Sequence, residues 1–256
     1  MPTPSVPRAL ITQFSIVDAL LAGLFDGVVT RGEVDAHGDF GLGCGDHMDG
    51  ELVILDGVHR LFRGDGSVGV LGPEEVIAFA EVARFAPDHV DAVADVASLD
   101  ALLGAVHLRI PSRNVFVGIR LRGRIDQLTL RQPLAQVKPY QRLTDAMRDQ
   151  HEVRLHAAEG TLVGFLGPQP FQGISVAGLH LHFVDSAGGV GGHVLAATGV
   201  SGELALEQYG GITVRLPESP DYLGADLDDP STADAAIRAV ESETSHTDQK
   251  EASPRR

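Results

Sequence analysis

The sequence predicts a β-rich α+β fold with a few short helices. Three observations point there. Glycine reaches 30 of 256 residues, above the ~7% of average usage, so turns are many. Short apolar runs bounded by Gly, Asp and Pro recur along most of the chain, which is a strand pattern. Helical periodicity is confined to a few short stretches. The length suits one large domain or two small ones and can bury a real core. Apolar residues at 43% and charged residues at 21% make a soluble globular composition.

Taken in order, residues 1–9 read as a flexible arm. Residues 15–25 predict a helix: Ser15 and Asp18 resemble a capping box, Ile16, Leu20 and Leu24 recur at helical spacing, and Gly27 ends it. Residues 51–55 and 58–62 predict a hairpin across Asp56-Gly57, and residues 68–71 a third strand. Pro73-Glu74-Glu75 looks like a first helical turn, so residues 73–85 are expected to be helical. A further helix is expected from a Ser98 cap to about His107. Residues 115–122 and 125–131 predict a hairpin around Gly123. Residues 132–140, with Pro133 and Pro139, mark the expected domain boundary. Strands are expected over 161–166, 173–185, 193–207 and 212–216. A short helix is expected from a Ser231 cap to about Glu241. Residues 244–256 carry almost no large apolar side chain and are expected to be disordered. The division is therefore an arm (1–9), an N-terminal α/β domain (10–133), a C-terminal β-rich domain (134–243) and a tail (244–256).

Composition also excludes functions. A net charge of −15 repels phosphate backbones, and the absence of tryptophan removes the best stacking platform, so nucleic acid is not an expected partner. The single cysteine, Cys44, forms no internal disulfide and no cysteine-based zinc ribbon. The apolar stretch 16–25 is interrupted by Asp18 and Gly23 and falls short of the ~20 residues of a membrane span. No signal peptide is legible at the start, so the expected setting is the cytoplasm, with no membrane partner.

Three segments carry chemistry. The first is Gly178-Leu-His-Leu-His-Phe-Val-Asp185, followed by a glycine-rich turn and His193. Strand alternation sends His180 and His182 to one face and Leu179, Leu181 and Phe183 to the other. Two surface histidines on a half-exposed strand would give the same His-x-His pattern. The third histidine beyond the turn favours a metal site. Three imidazoles without a thiolate suit Zn2+ and leave a coordination position open, as in catalytic sites. Among the scattered histidines, His47 lies in the second segment, residues 37–51. There glycines at 38, 41, 43, 45 and 50 allow close backbone approach, and Glu51 starts a strand after Asp49-Gly50. That glutamate reads equally as a turn carboxylate in solvent. The third segment, residues 111–120, ends in Arg120, either an anion clamp or an edge arginine snorkelling into water.

Together the segments resemble the α-acetolactate decarboxylase family. The resemblance is carried by HGDFGLG at 37–43, DGEL at 49–52, SRN at 112–114 with Ile119-Arg120, KPY at 138–140, and GTLVGFL at 160–166. GLHLHF at 178–183, GGH ending at His193, LP at 216–217 and DLDDP at 226–230 complete it. It spans about residues 11–243. It implies two packed β-rich domains with mixed or antiparallel sheets, or a partly closed barrel, in a homodimer. It implies zinc on His180, His182 and His193, with Glu51 and Arg120 on the substrate. It also implies a C-terminal glutamate reaching back to the metal, Glu241 or else Glu243. Cys44, also expected on the substrate, stands where the family commonly has threonine.

The reaction so implied converts (S)-2-acetolactate to (R)-acetoin and CO2 with no organic cofactor, in acetoin and butanediol synthesis. Loss of CO2 pushes electrons toward the neighbouring ketone and forms an enediolate, which a Lewis acid stabilises. A cation orients the carboxylate, and a carboxylic acid returns a proton to one face. Two other readings stay open on residues alone. One is a different three-histidine enzyme, such as a cupin-type oxygenase or a hydratase. The other is a metal-stabilised binding domain without catalysis.

Overall fold

Residues 8–227, with Ala236, Ile237 and Val240, are described by a computed structural model. The first sheet is built by β1 (Leu10–Phe14), β2 (Val29–Thr30), β3 (Phe40–Gly45), β4 (Glu51–Leu55), β5 (Val58–Phe62), β6 (Val68–Val70) and β7 (Val76–Ala83). The second is built by β8 (His89–Val96), β9 (Phe116–Gln132), β10 (His151–Gly167), β11 (Gly178–Asp185) and β12 (Gly191–Tyr209). The last strand, β13 (Gly211–Arg215), returns to the first sheet and lies parallel to β1. Among the described residues lie five short α-helices, α1 (Val17–Leu21), α2 (Arg31–Asp35), α3 (Leu99–His107), α4 (Leu143–Ala146) and α5 (Pro220–Leu223), and three single 3-10 turns. The β-rich α+β class is thus as expected.

The first sheet runs β13-β1-β7-β3-β4-β5-β6, with β2 also on β7. The second runs β11-β10-β9-β12-β8, and β11 additionally pairs β12. Strands β9, β10, β11 and β12 therefore close into a ring, the partly closed barrel. The long β9 and β12 cross closely at Gly123 and Gly202. A Cβ on Gly123 would stand 2.1 Å from the Ser201 carbonyl oxygen, so only glycine fits there.

One apolar cluster lies under the ring, where Leu102 and Val106 of α3 meet Leu181, Phe183, Ile119 and Leu206. Another joins the sheets, with Phe40, Phe79, Phe62, Phe165, Val163 and Val184 in contact across them. Ile237 and Val240 are buried in this second cluster. Burying each aliphatic side chain contributes about 1.5–3 kcal/mol, so the C-terminal segment helps hold the core between the sheets.

The β4–β5 hairpin and the Ser98-capped α3 match expectation: Asp56 and Gly57 both take positive φ, and the Ser98 hydroxyl accepts from the Ala101 N–H at 3.1 Å. Three expectations are corrected. The helix expected over 15–25 shrinks to the five residues of α1, because Ser15 sits at φ 69° and supplies no cap. Residues 73–85 hold β7 rather than a helix, since Val76–Ala83 is a central strand buried on both faces and shows no alternation. Residues 115–131 form no hairpin at Gly123; β9 runs straight through it. The proline-rich stretch 132–140 joins β9 to β10, two strands of the second sheet. The expected arm is described only from Arg8. The expected 231–241 helix, apart from Ala236, Ile237 and Val240, and the tail 244–256 lie outside the described residues.

Candidate active site

The site forms where the start of β4 in one sheet meets β11 and the start of β12 in the other. Alternation along β11 places Leu181 and Phe183 in the α3 core and turns His180 and His182 the opposite way. The turn after β11 is shaped by Asp185, whose Oδ1 accepts from the N–H groups of Gly189 and Val190 at 2.7 and 2.8 Å. The chain then re-enters as β12 and sets His193 directly beside His182 in register. The three rings lie with centroids 5.3–5.4 Å apart. All three are buried, and one nitrogen from each falls within 4.8 Å of the others.

This donor set fits a divalent cation. The Nδ1–H of His182 donates to the Leu52 carbonyl oxygen at 2.8 Å, which fixes the tautomer and leaves Nε2 as a lone-pair donor. Burial, reinforced by neighbouring His180, holds the His182 pKa well below the ordinary histidine value. The ring is therefore neutral, the form that binds metal.

Glu51 comes from the other sheet. Its Oε2 lies 3.4 Å from His182 Nε2, and its Oε1 accepts from Arg131 Nε at 3.1 Å. Both side chains of this ion pair are only 4% exposed. Arg131 also donates through Nη1 to the carbonyl oxygen of Val240. Cys44, opposite Glu51 in the β3–β4 register, lines the same pocket with Met48, Phe79, Leu143, Val176 and Val240. Burial, with Glu51 close by, pushes the Cys44 thiol pKa far up, so it faces the pocket as a neutral thiol.

Arg120 is not in this group. Its side chain is 25% exposed, lies over the Phe85 ring at 5.3 Å, and stands 3.9 Å from Glu203. The register explains the displacement. Around the ring, Arg120 pairs with Val163, Val163 with His182, His182 with His193, and His193 with Arg131. The register row that leaves β9 at Arg120 thus returns to β9 at Arg131. Only Arg131 is next to a histidine; Arg120 is two strands from His182, about 10 Å at ordinary strand spacing. Arg131, missed in the sequence, occupies the place expected of Arg120. Its only signal was its place at the end of the strand before the proline-rich stretch, which a correct strand length alone makes readable.

Glu241 lies outside the described residues; Val240 before it faces the pocket. Glu81 is a second buried carboxylate that the sequence did not announce. His47 stands outside the site, half-exposed in a group with Asp26 and Asp46. Lys138 and the Tyr140 hydroxyl already bind Asp26 there, at 2.5 and 2.7 Å.

Comparison with known proteins decides the family. The family model for alpha-acetolactate decarboxylase matches residues 11–229. The chain belongs to the alpha-acetolactate decarboxylase family. It is 37% identical to the alpha-acetolactate decarboxylase of Klebsiella aerogenes over 235 residues, covering 92% of this chain and 90% of that one. It is 37% identical to the Methylococcus capsulatus alpha-acetolactate decarboxylase over 217 residues, covering 85% and 84%. The crystal structure of the alpha-acetolactate decarboxylase from Bacillus subtilis strain 168 superposes with a TM-score of 0.88 at 32% identity, covering 91% of this chain and all of that one. Like these relatives, the chain is an acetolactate decarboxylase, a carboxy-lyase acting on a small molecule, and its histidine cluster gives it the capacity to bind a metal.

Proposed function

We propose that this decarboxylase converts (S)-2-acetolactate to (R)-acetoin and CO2 with zinc held by His180, His182 and His193. The observation that supports it best is the cluster of three buried histidines, two of which, His180 and His182, line one pocket with the Glu51–Arg131 pair. When bound, zinc supplies Lewis-acid stabilisation of negative charge developing on the substrate's oxygens.

The protein's own groups do the rest. Arg131, anchored by the Val240 carbonyl and Glu51, presents a fixed positive charge that orients the substrate carboxylate for departure as CO2. The planar fork makes this alignment directional, which a lysine would not do. Glu51, positioned by Arg131 Nε, carries the proton to one face of the enediolate and so sets the chirality of acetoin. Glu241 is the proposed second proton carrier, being next in sequence to pocket-lining Val240. Cys44 and Met48 offer a soft apolar wall for the substrate's methyl groups. Water is excluded by Leu20, Leu143 and Val176, which border the same space.

A homodimer in the cytoplasm, with neither nucleic acid nor membrane as partner, belongs to the same proposal. The net charge of −15 argues against nucleic acid, and among the described residues no helix is long and apolar enough to cross a membrane; the dimer and the cytoplasmic setting rest on the family likeness. The test of the reaction is to supply racemic acetolactate to zinc-loaded protein, following CO2 and resolving acetoin on a chiral column. Release of CO2 with (R)-acetoin is expected. No release, or racemic acetoin, contradicts the proposal.

A further inference from the structure

Glu81 sits mid-strand in β7, between β1 and β3, and is 1% exposed. Taking a carboxylate out of water costs several kcal/mol unless it is hydrogen-bonded or paired. Among the described residues no lysine or arginine pairs with Glu81. Its contacts are two. The Ser175 hydroxyl donates to Oε1, and Oε2 lies 3.7 Å from Nδ1 of His180. One carboxylate oxygen is thus held, and the other faces Nδ1 of a histidine in the cluster.

Ser175 is itself fixed. The segment carrying it docks on the start of α1, where the Val17 and Asp18 N–H groups donate to the Ile174 and Gly173 carbonyl oxygens at 3.1 and 2.9 Å. The Gln13 side-chain amide donates to the Ile174 carbonyl oxygen at 2.7 Å from the neighbouring strand. Ser175 therefore reaches Glu81 from a segment tied to both β1 and α1.

We propose that Glu81, held by Ser175, is a positioning residue for His180. This inference rests on the metal reading of the three histidines. The carboxylate, 3.7 Å from Nδ1 and not in a direct hydrogen bond with it, favours the Nδ1–H tautomer of His180 through its charge and leaves Nε2 to the metal. His182 receives the same service from the Leu52 carbonyl oxygen. The two histidines of β11 are thus oriented by unlike groups, a hydrogen-bonded carbonyl for His182 and a carboxylate charge for His180. The carboxylate also makes its imidazole the stronger donor.

The experiment is a competition titration of zinc against a chromophoric chelator on the full chain, repeated with cobalt so that the visible spectrum reports ligand geometry. Glu81→Ala and Glu81→Gln should each weaken zinc binding by roughly 10–100-fold and shift the cobalt bands. Ser175→Ala should weaken it less, in the same direction. Thermal unfolding of the metal-free proteins separates this from a fold defect, which would lower Tm without altering the cobalt spectrum. Parental affinity and spectrum in the Glu81 variants overturn the proposal. Should Glu81→Ala fail to fold, the same parental result in Glu81→Gln and Ser175→Ala overturns it. His182→Ala is the control for the underlying reading. A parent that holds no zinc, or a His182→Ala chain that keeps it, overturns the metal site and this proposal with it. Loss in His182→Ala with no change in the Glu81 and Ser175 variants overturns the positioning role alone.

Discussion

At the scale of single residues, the two arginines of β9 divide the chemistry. Arg131 is buried against Glu51 and beside His193, whereas Arg120 lies over Phe85 near Glu203. Arg131→Lys should lower kcat by roughly 10²-fold or more, the scale of losing an oriented electrostatic donor, with zinc retained. Arg120→Lys should leave kcat close to parental. Steady-state kinetics on the two variants checks this, and the reverse ranking would return the role to Arg120. The histidines were legible because alternation on a strand is a strict rule and the glycine-rich turn announced the return of His193. The arginine was not legible in the same way. Alternation assigns a face, and Arg120 shares its register row with His182; it does not tell how far around a closed ring a side chain lies. Glu81 left no signal, since a lone glutamate in an apolar run reads as a solvated position until the strand is known to be central.

At the scale of elements, the turns carried the most information. Asp56-Gly57 defined β4 and β5 to the residue, because both positions need the left-handed region that this dipeptide favours. Pro73-Glu74-Glu75 misled because proline and acidic residues suit a helical first turn and equally a bend into a strand. The strand after it is buried on both faces and so lacks the period-two pattern that would have named it. β9 was cut at Gly123 for a related reason: the glycine that suggested a turn instead serves the close crossing with β12. The C-terminal segment is the element with the most exposed expectation. Val240 and Ile237 are core residues, and Arg131 grips the Val240 carbonyl. A chain ending at Ser231 should lose kcat by roughly 10²-fold or more, the scale of a missing acid–base group, while zinc stays bound by its upstream ligands. Deleting residues 244–256 should leave activity nearly intact. Full activity in the shorter chain would remove Glu241 and leave Glu51 as the sole proton donor.

At the scale of the whole molecule, the ring closed by β11 and β12 and the sheet that carries Glu51 hold the site between them. Stability of the first sheet has its own pH dependence through His59. That residue is fully buried on β5, with Nδ1 3.4 Å from Asp35. Burial lowers its pKa below the ordinary histidine value, and Arg31 adds to the effect against the opposing pull of Asp35. The unfolded chain then takes up the proton first as pH falls. The contribution is fully present above the unfolded value of about 6.5 and is lost as pH drops below it. Tm should therefore fall between about pH 7 and about pH 5, and His59→Leu should flatten that slope at constant zinc. An unchanged slope would place the titration elsewhere.

The central claim of the proposed function is a metal on three histidines, and it is tested by removing that metal and returning it. Protein stripped with a chelator should release no CO2 from acetolactate above the uncatalysed rate. Adding about one equivalent of zinc per chain should restore turnover. The chain with His180, His182 and His193 all changed to alanine should fail to recover at any zinc level. Full turnover in the stripped protein, or recovery in the triple variant, would contradict a zinc decarboxylase built on these residues.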